Sequence, residues 1–312
     1  MNILITGGTG LVGTRLSQLL TDAGHVVAHL TRGGAAAGES AYQTFRWNPA
    51  AGQLDAAAVP WADAIVHLAG AGVMDARWTP ARKKEILDSR VRGLHLLRDA
   101  LARASRRETP LISASAIGLY GDRGDEWLSE NTPAPPPGQD FLADVCRQWE
   151  AAALQIRATG RRVAILRLGI VLSERGGALP EMARPIRLGV GAALGSGRQW
   201  TSWIHLDDVC RAFIAALTDA RYTGVYNVVG PAPATNADLT RAIAHALNRP
   251  LLLPAVPGFA LRLTLGERAQ AVLASQRVRP DGLTELGFEF AYPELEEALE
   301  AIYGQPHGRP ER

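Results

Sequence analysis

Lysine is almost missing from this chain. Lys83 and Lys84 are the only two, and every other strong base is an arginine. Cysteine is nearly as scarce. Cys146 and Cys210 lie far apart, with no Cys-x-x-Cys spacing and no histidine cluster, which excludes a disulfide framework and argues against a zinc site. No apolar run approaches the roughly 18 residues that a membrane helix needs. The opening Met1-Asn2-Ile3-Leu4-Ile5-Thr6 has neither a charged leader nor a long apolar stretch, so a cytoplasmic protein with reduced thiols and no membrane partner is expected. Charge of one sign is also lacking. The net charge is +2 with scattered bases, which gives no nucleic-acid footprint; the nearest basic run, 103–107, reads as a solvated helix end.

What is present is an ordinary globular composition, 47% apolar and 21% charged, in a chain long enough for a large domain and a smaller lobe. Short apolar runs rich in branched residues at 2–6, 26–31, 64–69, 111–115 and 163–168 alternate with helical patterns at 11–23, 80–104 and 140–158. This rhythm predicts an α/β Rossmann fold, a doubly wound parallel sheet covered by helices on both faces, with a smaller C-terminal substrate lobe. The expected domains are 1–170, with elements returning from about 205–230, and 171–304, followed by a flexible tail at 305–312. Helices are expected at 207–218, 236–247 and 259–275, with a turn and edge strand at 282–290. A last helix at 293–303 would carry proline in its first turn.

The first strand runs straight into Gly7-Gly8-Thr9-Gly10-Leu11-Val12-Gly13, and a helical pattern begins at once. In that setting Gly7 permits the tight turn, Gly10 lets a pyrophosphate approach the backbone, and Gly13 lets the helix pack on the strand. The free amides and positive end of the helix then hold the anion. The second strand ends at Arg32, where a carboxylate would meet the adenosine ribose of NAD; the next carboxylate is Glu39. An arginine there holds a 2′-phosphate and predicts NADP(H) as the cofactor, the plain alternative being a surface arginine after a strand.

Together with 7–13, the segments Asp63-Ala64-Ile65-Val66-His67-Leu68-Ala69-Gly70, Ser113-Ala114-Ser115-Ala116-Ile117-Gly118-Leu119-Tyr120-Gly121 and Trp203-Ile204-His205-Leu206-Asp207-Asp208 resemble the extended short-chain dehydrogenase/reductases and nucleotide-sugar epimerases. An atypical branch, often labelled epimerase family protein, is matched by Arg77-Trp78-Thr79 through Ser89-Arg90, by Gly124-Asp125-Glu126, and by Asp140-Phe141-Leu142-Ala143 through Trp149-Glu150. Gln276-Arg277-Val278 through Gly287-Phe288 is similar to that branch's small terminal domain. The resemblance implies NADP(H) contacts at Gly7, Thr9, Gly10, Leu11, Val12 and Gly13, at Arg32, around Leu68, Ala69 and Gly70, near Ser113 and Ala114, and at Leu168 and Gly169.

Active members of that superfamily use a Ser or Thr to hold a substrate oxygen, a Tyr to transfer the proton and a Lys four residues later to tune it. Ser115 fits the first role. Four residues after Tyr42, Tyr120, Tyr222, Tyr226, Tyr292 and Tyr303 stand Arg46, Gly124, Tyr226, Gly230, Glu296 and His307, so the Tyr-x-x-x-Lys pair does not exist here. By position Leu142 and Cys146 replace it. The catalytic residues expected instead are Ser115, with Tyr120 as a phenol facing the ligand crevice or Glu126 as a desolvated acid; water is the other proton source. Cys146 reads as packed core before thiol donor, and His205 as structural. Of the cations on the third helix, Lys83 and Arg90 share a face while Lys84 and Arg90 do not, and Arg90 is the one assigned to the cofactor. The expected function is an NADP(H)-dependent oxidoreductase or epimerase-like enzyme acting on a small molecule, with a homodimer as the expected assembly; the alternative is an NADPH-binding sensor or scaffold without turnover.

Overall fold

The computed structural model describes residues 1–33, 41–104 and 108–304. Glu39, residues 105–107 of the basic run, and the expected tail at 305–312 lie outside the described residues. In chain order the strands are β1 (Asn2–Thr6), β2 (Val26–Thr31), β3 (Gln43–Asn48), β4 (Gln53–Leu54), β5 (Ala64–His67), β6 (Leu111–Ala116), β7 (Trp127–Leu128), β8 (Val163–Leu168), β9 (Ile170–Leu172), β10 (Trp200–Thr201), β11 (Trp203–His205), β12 (Gly224–Val228), β13 (Ala234–Thr235) and β14 (Arg277–Val278). The α-helices are α1 (Leu11–Asp22), α2 (Ala58–Trp61), α3 (Pro80–Arg103), α4 (Phe141–Arg157), α5 (Ala178–Arg187), α6 (Leu206–Thr218), α7 (Asn236–Ala246), α8 (Gly258–Leu265), α9 (Ala269–Leu273), α10 (Asp281–Glu285) and α11 (Leu295–Tyr303).

Two compact units emerge. The first comprises Met1–Leu119, Pro133–Arg167 and Cys210–Tyr226; the second comprises Tyr120–Thr132, Leu168–Val209 and Asn227–Arg312. An eight-stranded sheet is ordered β12-β8-β6-β5-β1-β2-β3-β4, a Rossmann-like arrangement in which β1 pairs in parallel with β2 and β5, β2 with β3, and β5 with β6. Ile3, Leu4, Ile5, Ile65, Val66 and Ile165 are sealed from solvent because a central parallel strand is covered on both faces. The register sets Thr6 beside both Leu30 and His67, and His67 beside Ser113, so the carboxyl ends of four strands line up. Ligands of such sheets bind beyond that edge.

Long helices begin where a side chain can take up free amides. Thr79 accepts from Arg82 N at 3.2 Å and Asp140 from Ala143 N at 2.9 Å, starting α3 and α4. The second unit has its own core of Leu172, Trp203, Leu239, Ile243, Leu295 and Leu299, drawn from β9, β11, α7 and α11. Each such leucine or isoleucine contributes about 1.5–3 kcal/mol by leaving water.

Several expectations are corrected by local conformation. The helix expected over 259–275 is broken into α8, a 3-10 turn and α9, because Gly266 takes φ +61°. Pro293 lies outside α11, whose N-cap is Glu294, and 282–290 holds α10 where a turn and edge strand were expected. Beyond the five expected strands the structure adds others, among them β3, β4 and β12 of the large sheet. The segment Gln43-Thr44-Phe45-Arg46-Trp47-Asn48 alternates buried Phe45 and Trp47 with polar neighbours, a half-buried pattern that a search for apolar runs passes over.

Candidate functional site

Beyond the carboxyl ends of β1, β2, β3 and β5 lies a cavity of about 940 Å³. Its floor is the glycine turn. Gly7 has φ +71°, and a Cβ there would stand 2.8 Å from the Leu68 carbonyl carbon, so conformation and space both require glycine. A Cβ on Gly13 would meet Gly7 O at 2.3 Å and Gly8 Cα at 2.7 Å; this glycine packs the helix against the turn itself, where the sequence suggested the strand. A Cβ on Gly8 would stand 2.4 Å from the His29 ring, a side-chain neighbour on β2 that no local spacing reveals. Gly10 differs: its nearest neighbour would be Gly7 O at 3.3 Å, and together with Thr9 it lines the open cavity. Unlike α3 and α4, α1 has no side-chain cap. Its first amides, on Leu11, Val12 and Gly13, are therefore free of intrahelical partners and available to an anion.

The wall after β5 hangs from a buried chain of hydrogen bonds. Thr6 Oγ1 accepts from Leu68 N at 3.1 Å and Ala69 N at 3.2 Å, and donates to His67 Nδ1 at 2.9 Å. His67 Nε2 donates in turn to Arg90 O at 3.3 Å, which fixes the neutral tautomer. Burial pushes the His67 pKa down to about 4, so the ring is uncharged at neutral pH. Leu68, Ala69 and Gly70 are thereby presented to the cavity.

Arg32 stands exposed at the end of β2, in the cavity lining. Among the described residues no carboxylate pairs with it. Across from it α3 contributes Ala81, Lys84, Glu85, Asp88, Ser89 and Arg92, a spacing that is one helical face. Asp88 is shared by Lys84 and Arg92, the latter at 3.0 Å, so Arg32 is the cation least neutralised by its surroundings.

Arg90 is not among the lining residues, which corrects its assignment as a ligand-facing cation. It is partly buried, donates from Nη1 to Ala71 O at 3.0 Å and Ile86 O at 2.9 Å, and lies 5.0 Å from the Trp149 ring centre, acting as a strut behind Gly70. Lys83 does share its face, stacking on Phe141 at 5.1 Å. Seven other expected contacts are also absent from the lining: Leu11, Val12 and Gly13, which open α1, and Ser113, Ala114, Leu168 and Gly169. Ser113 and Ala114 are buried within β6, where Ser113 Oγ donates to Ala114 O. Leu168 ends β8, and Gly169 is packed so tightly that a Cβ would meet Ser202 O at 2.6 Å.

The residues expected to do chemistry are each already engaged. Ser115, 2% exposed, donates to Glu150 Oε1 at 2.7 Å, and that carboxylate takes a two-pronged ion pair from Arg167 at 2.8 and 2.9 Å. Tyr120 does not face a crevice: it is fully buried, and its hydroxyl donates to Asn227 Oδ1 at 2.7 Å. Glu126 is not desolvated; it is half exposed and paired with Arg123 at 2.8 Å. Leu142 and Cys146 flank Gly118, at 3.6 and 3.9 Å from where its Cβ would be. Burial, reinforced by Glu150, pushes the Cys146 thiol up to about 12, so it stays protonated and packed. His205 is structural, its Nδ1 accepting from Asp207 N at 3.1 Å and its ring lying against Tyr292. Among the described residues no group of three or more His, Cys, Asp or Glu could hold a metal, and no helix is long and apolar enough to cross a membrane.

A parallel sheet with a glycine turn opening an uncapped helix defines the doubly wound dinucleotide-binding class of α/β protein. The sequence model of the NAD dependent epimerase/dehydratase family matches residues 3–249, and that of a domain of unknown function, DUF1731, matches 256–302. The chain belongs to the NAD dependent epimerase/dehydratase family. It is 40% identical over 310 residues to the chloroplastic epimerase family protein SDR39U1 homolog of Arabidopsis thaliana, covering 97% of this chain and 86% of the relative. Epimerase family protein YfhF of Bacillus subtilis is 34% identical, with 97% and 98% covered. The crystal structure of human epimerase family protein SDR39U1 (isoform2) with NADPH superposes with a TM-score of 0.86 at 31% identity, covering 98% of this chain and all of the other. UDP-glucuronic acid 4-epimerase from Bacillus cereus, at 18% identity and a TM-score of 0.77 with 97% and 98% covered, shares the fold.

Proposed function

We propose that this protein binds NADP(H) in the cavity beyond β1 and β2 and works as an oxidoreductase without the tyrosine–lysine relay, on a small molecule protonated by water. The observation that carries the reading is Arg32 at the end of β2, in a cavity whose floor admits backbone approach at Gly10. Gly7, Thr9, Gly10 and the free amides of Leu11, Val12 and Gly13 would hold the diphosphate, Arg32 the 2′-phosphate, and the backbone of 68–70 the neighbouring portion. NADPH, when bound, supplies a hydride donor. The NADPH in the description of the human relative supports the phosphorylated cofactor. A reducing compartment such as the cytoplasm suits two buried cysteines that form no disulfide.

A second reading, NADPH binding without turnover, is favoured by the engaged state of Ser115 and Tyr120, which leaves neither hydroxyl proton uncommitted. The two readings separate experimentally. Calorimetric titration should give tighter binding of NADPH than of NADH, and Arg32→Glu should erase the preference; a wild type that prefers NADH overturns the cofactor assignment. NADPH consumption across aldehydes, quinones and sugar nucleotides that Arg32→Glu weakens identifies the enzyme, whereas tight binding with no turnover across the panel identifies the sensor.

A further inference from the structure

Three segments of the second unit meet around one guanidinium. Arg277 on β14 pairs in register with Trp127 on β7, and its Cζ lies 3.9 Å from the Trp127 ring centre and 3.9 Å from that of Trp200 on β10. Two rings cannot stack at that distance on one face, so the indoles take both faces of the guanidinium. Arg279 adds a second cation, 5.2 Å from Trp127.

The clamp is rigidly framed. Ser275 Oγ donates to Gly124 O at 2.6 Å and accepts from Trp200 N at 2.9 Å, while Ser202 Oγ donates to Gln276 O and accepts from Val278 N, both at 2.9 Å. The backbone on either side of Arg277 is thus tied to the segments that carry both indoles.

Nothing neutralises the clamped charge. Among the described residues Arg277 forms no ion pair, and its buried Nε has no hydrogen-bond partner. The nearby carboxylates are engaged, Asp125 by Trp200 Nε1 at 2.9 Å and Glu126 by Arg123. With both faces covered and Nε enclosed, the terminal Nη pair is what remains for recognition, and its coplanar N–H groups match two oxygens of a carboxylate or phosphate. Arg277 itself is only partly buried, beside the exposed Trp127.

We propose that Arg277, held on edge between Trp127 and Trp200 with Arg279 beside it, is a binding site for the oxyanion of a small-molecule ligand. The rigid frame removes the rotamer entropy that a free arginine gives up on binding. This site is separate from the dinucleotide cavity and does not rest on it.

The test is titration of the whole protein with inorganic phosphate and, separately, with malonate at constant ionic strength, followed by tryptophan emission and by the arginine Nε–H resonances. A saturable change with a Kd on the order of 1 mM, weakened at least about tenfold in both Arg277→Gln and Arg277→Lys, is expected. The lysine variant keeps the charge and loses the planar fork. The anion that saturates names the oxyanion, and Arg32→Glu should leave this response intact, separating it from phosphate bound at the dinucleotide cavity. A response that never saturates, or that is the same in Arg277→Lys, overturns the proposal. So does a lowered melting temperature in Arg277→Gln with no anion response in the wild type, the signature of a purely structural clamp. Should Arg277→Gln fail to fold, wild-type Nε–H resonances indifferent to both anions overturn it equally.

Discussion

Ser115 shows how much a single hydroxyl's neighbours decide. Its partner Glu150 is enclosed with Arg167, so the three form one buried polar group in which each member satisfies the others. Breaking such a pair from one side leaves a charge without compensation. Arg167→Met should therefore cost about 3–5 kcal/mol, and Glu150→Gln in the same chain should recover part of it, both measured by urea unfolding. Ser115→Ala should cost about 1.5–3 kcal/mol, as for loss of a hydrogen bond to a charged group. An unchanged stability would return Ser115 to a role reserved for substrate. His67 sets a second, pH-dependent term. Its folded pKa is depressed from 6.5 to about 4, so below the upper value the unfolded chain takes up a proton that the fold refuses. Its contribution is complete above about pH 6.5 and falls by roughly 1.4 kcal/mol per pH unit as pH drops towards 4. Ring resonances of His67 that titrate near 6.5 would contradict this.

At the scale of the element, the turn from β1 into α1 separates two kinds of glycine. Gly13 is needed for packing, since a Cβ would press on backbone at 2.3 Å that cannot swing away, whereas Gly10 faces the open cavity. Gly13→Ala should destabilise the free protein by about 1–3 kcal/mol through overpacking. Gly10→Ala should melt like the wild type without ligand yet bind NADPH at least about tenfold more weakly, because the methyl occupies the line of approach. Thermal melts of both variants with and without NADPH check the pair; equal losses of stability would mean that the two positions are not distinguished as the geometry requires.

Across the molecule, the residues assigned to NADPH by the cavity belong to the first unit, while the oxyanion clamp belongs to the second. A ligand that binds only the folded state stabilises by mass action, about 2.7 kcal/mol at roughly 100 times its Kd. Scanning calorimetry should accordingly show the transition that melts the first unit rising with the logarithm of NADPH concentration, and a thermogram indifferent to NADPH would remove the dinucleotide from that unit. What could be read along the chain was local: β1, β2 and β8, the span of α1, the glycine turn and the arginine after β2 all follow from residues within a few positions of one another. Strand β3 escaped because four of its six residues are polar.

Taken alone, the order of residues determined the periodicities of the first-unit strands and helices, the positive φ at Gly7 and the absence of any tyrosine followed four residues later by lysine. Each of these is a property of a short stretch of backbone or a count of side chains. Only the tertiary structure decided that Tyr120 closes on Asn227, 107 residues away, that Ser115 donates a hydrogen bond to Glu150, and that Arg277 stands between two indoles from distant segments. Those pairings depend on which strands become neighbours, and neighbours are selected by burial over the whole core, where no local spacing records the outcome.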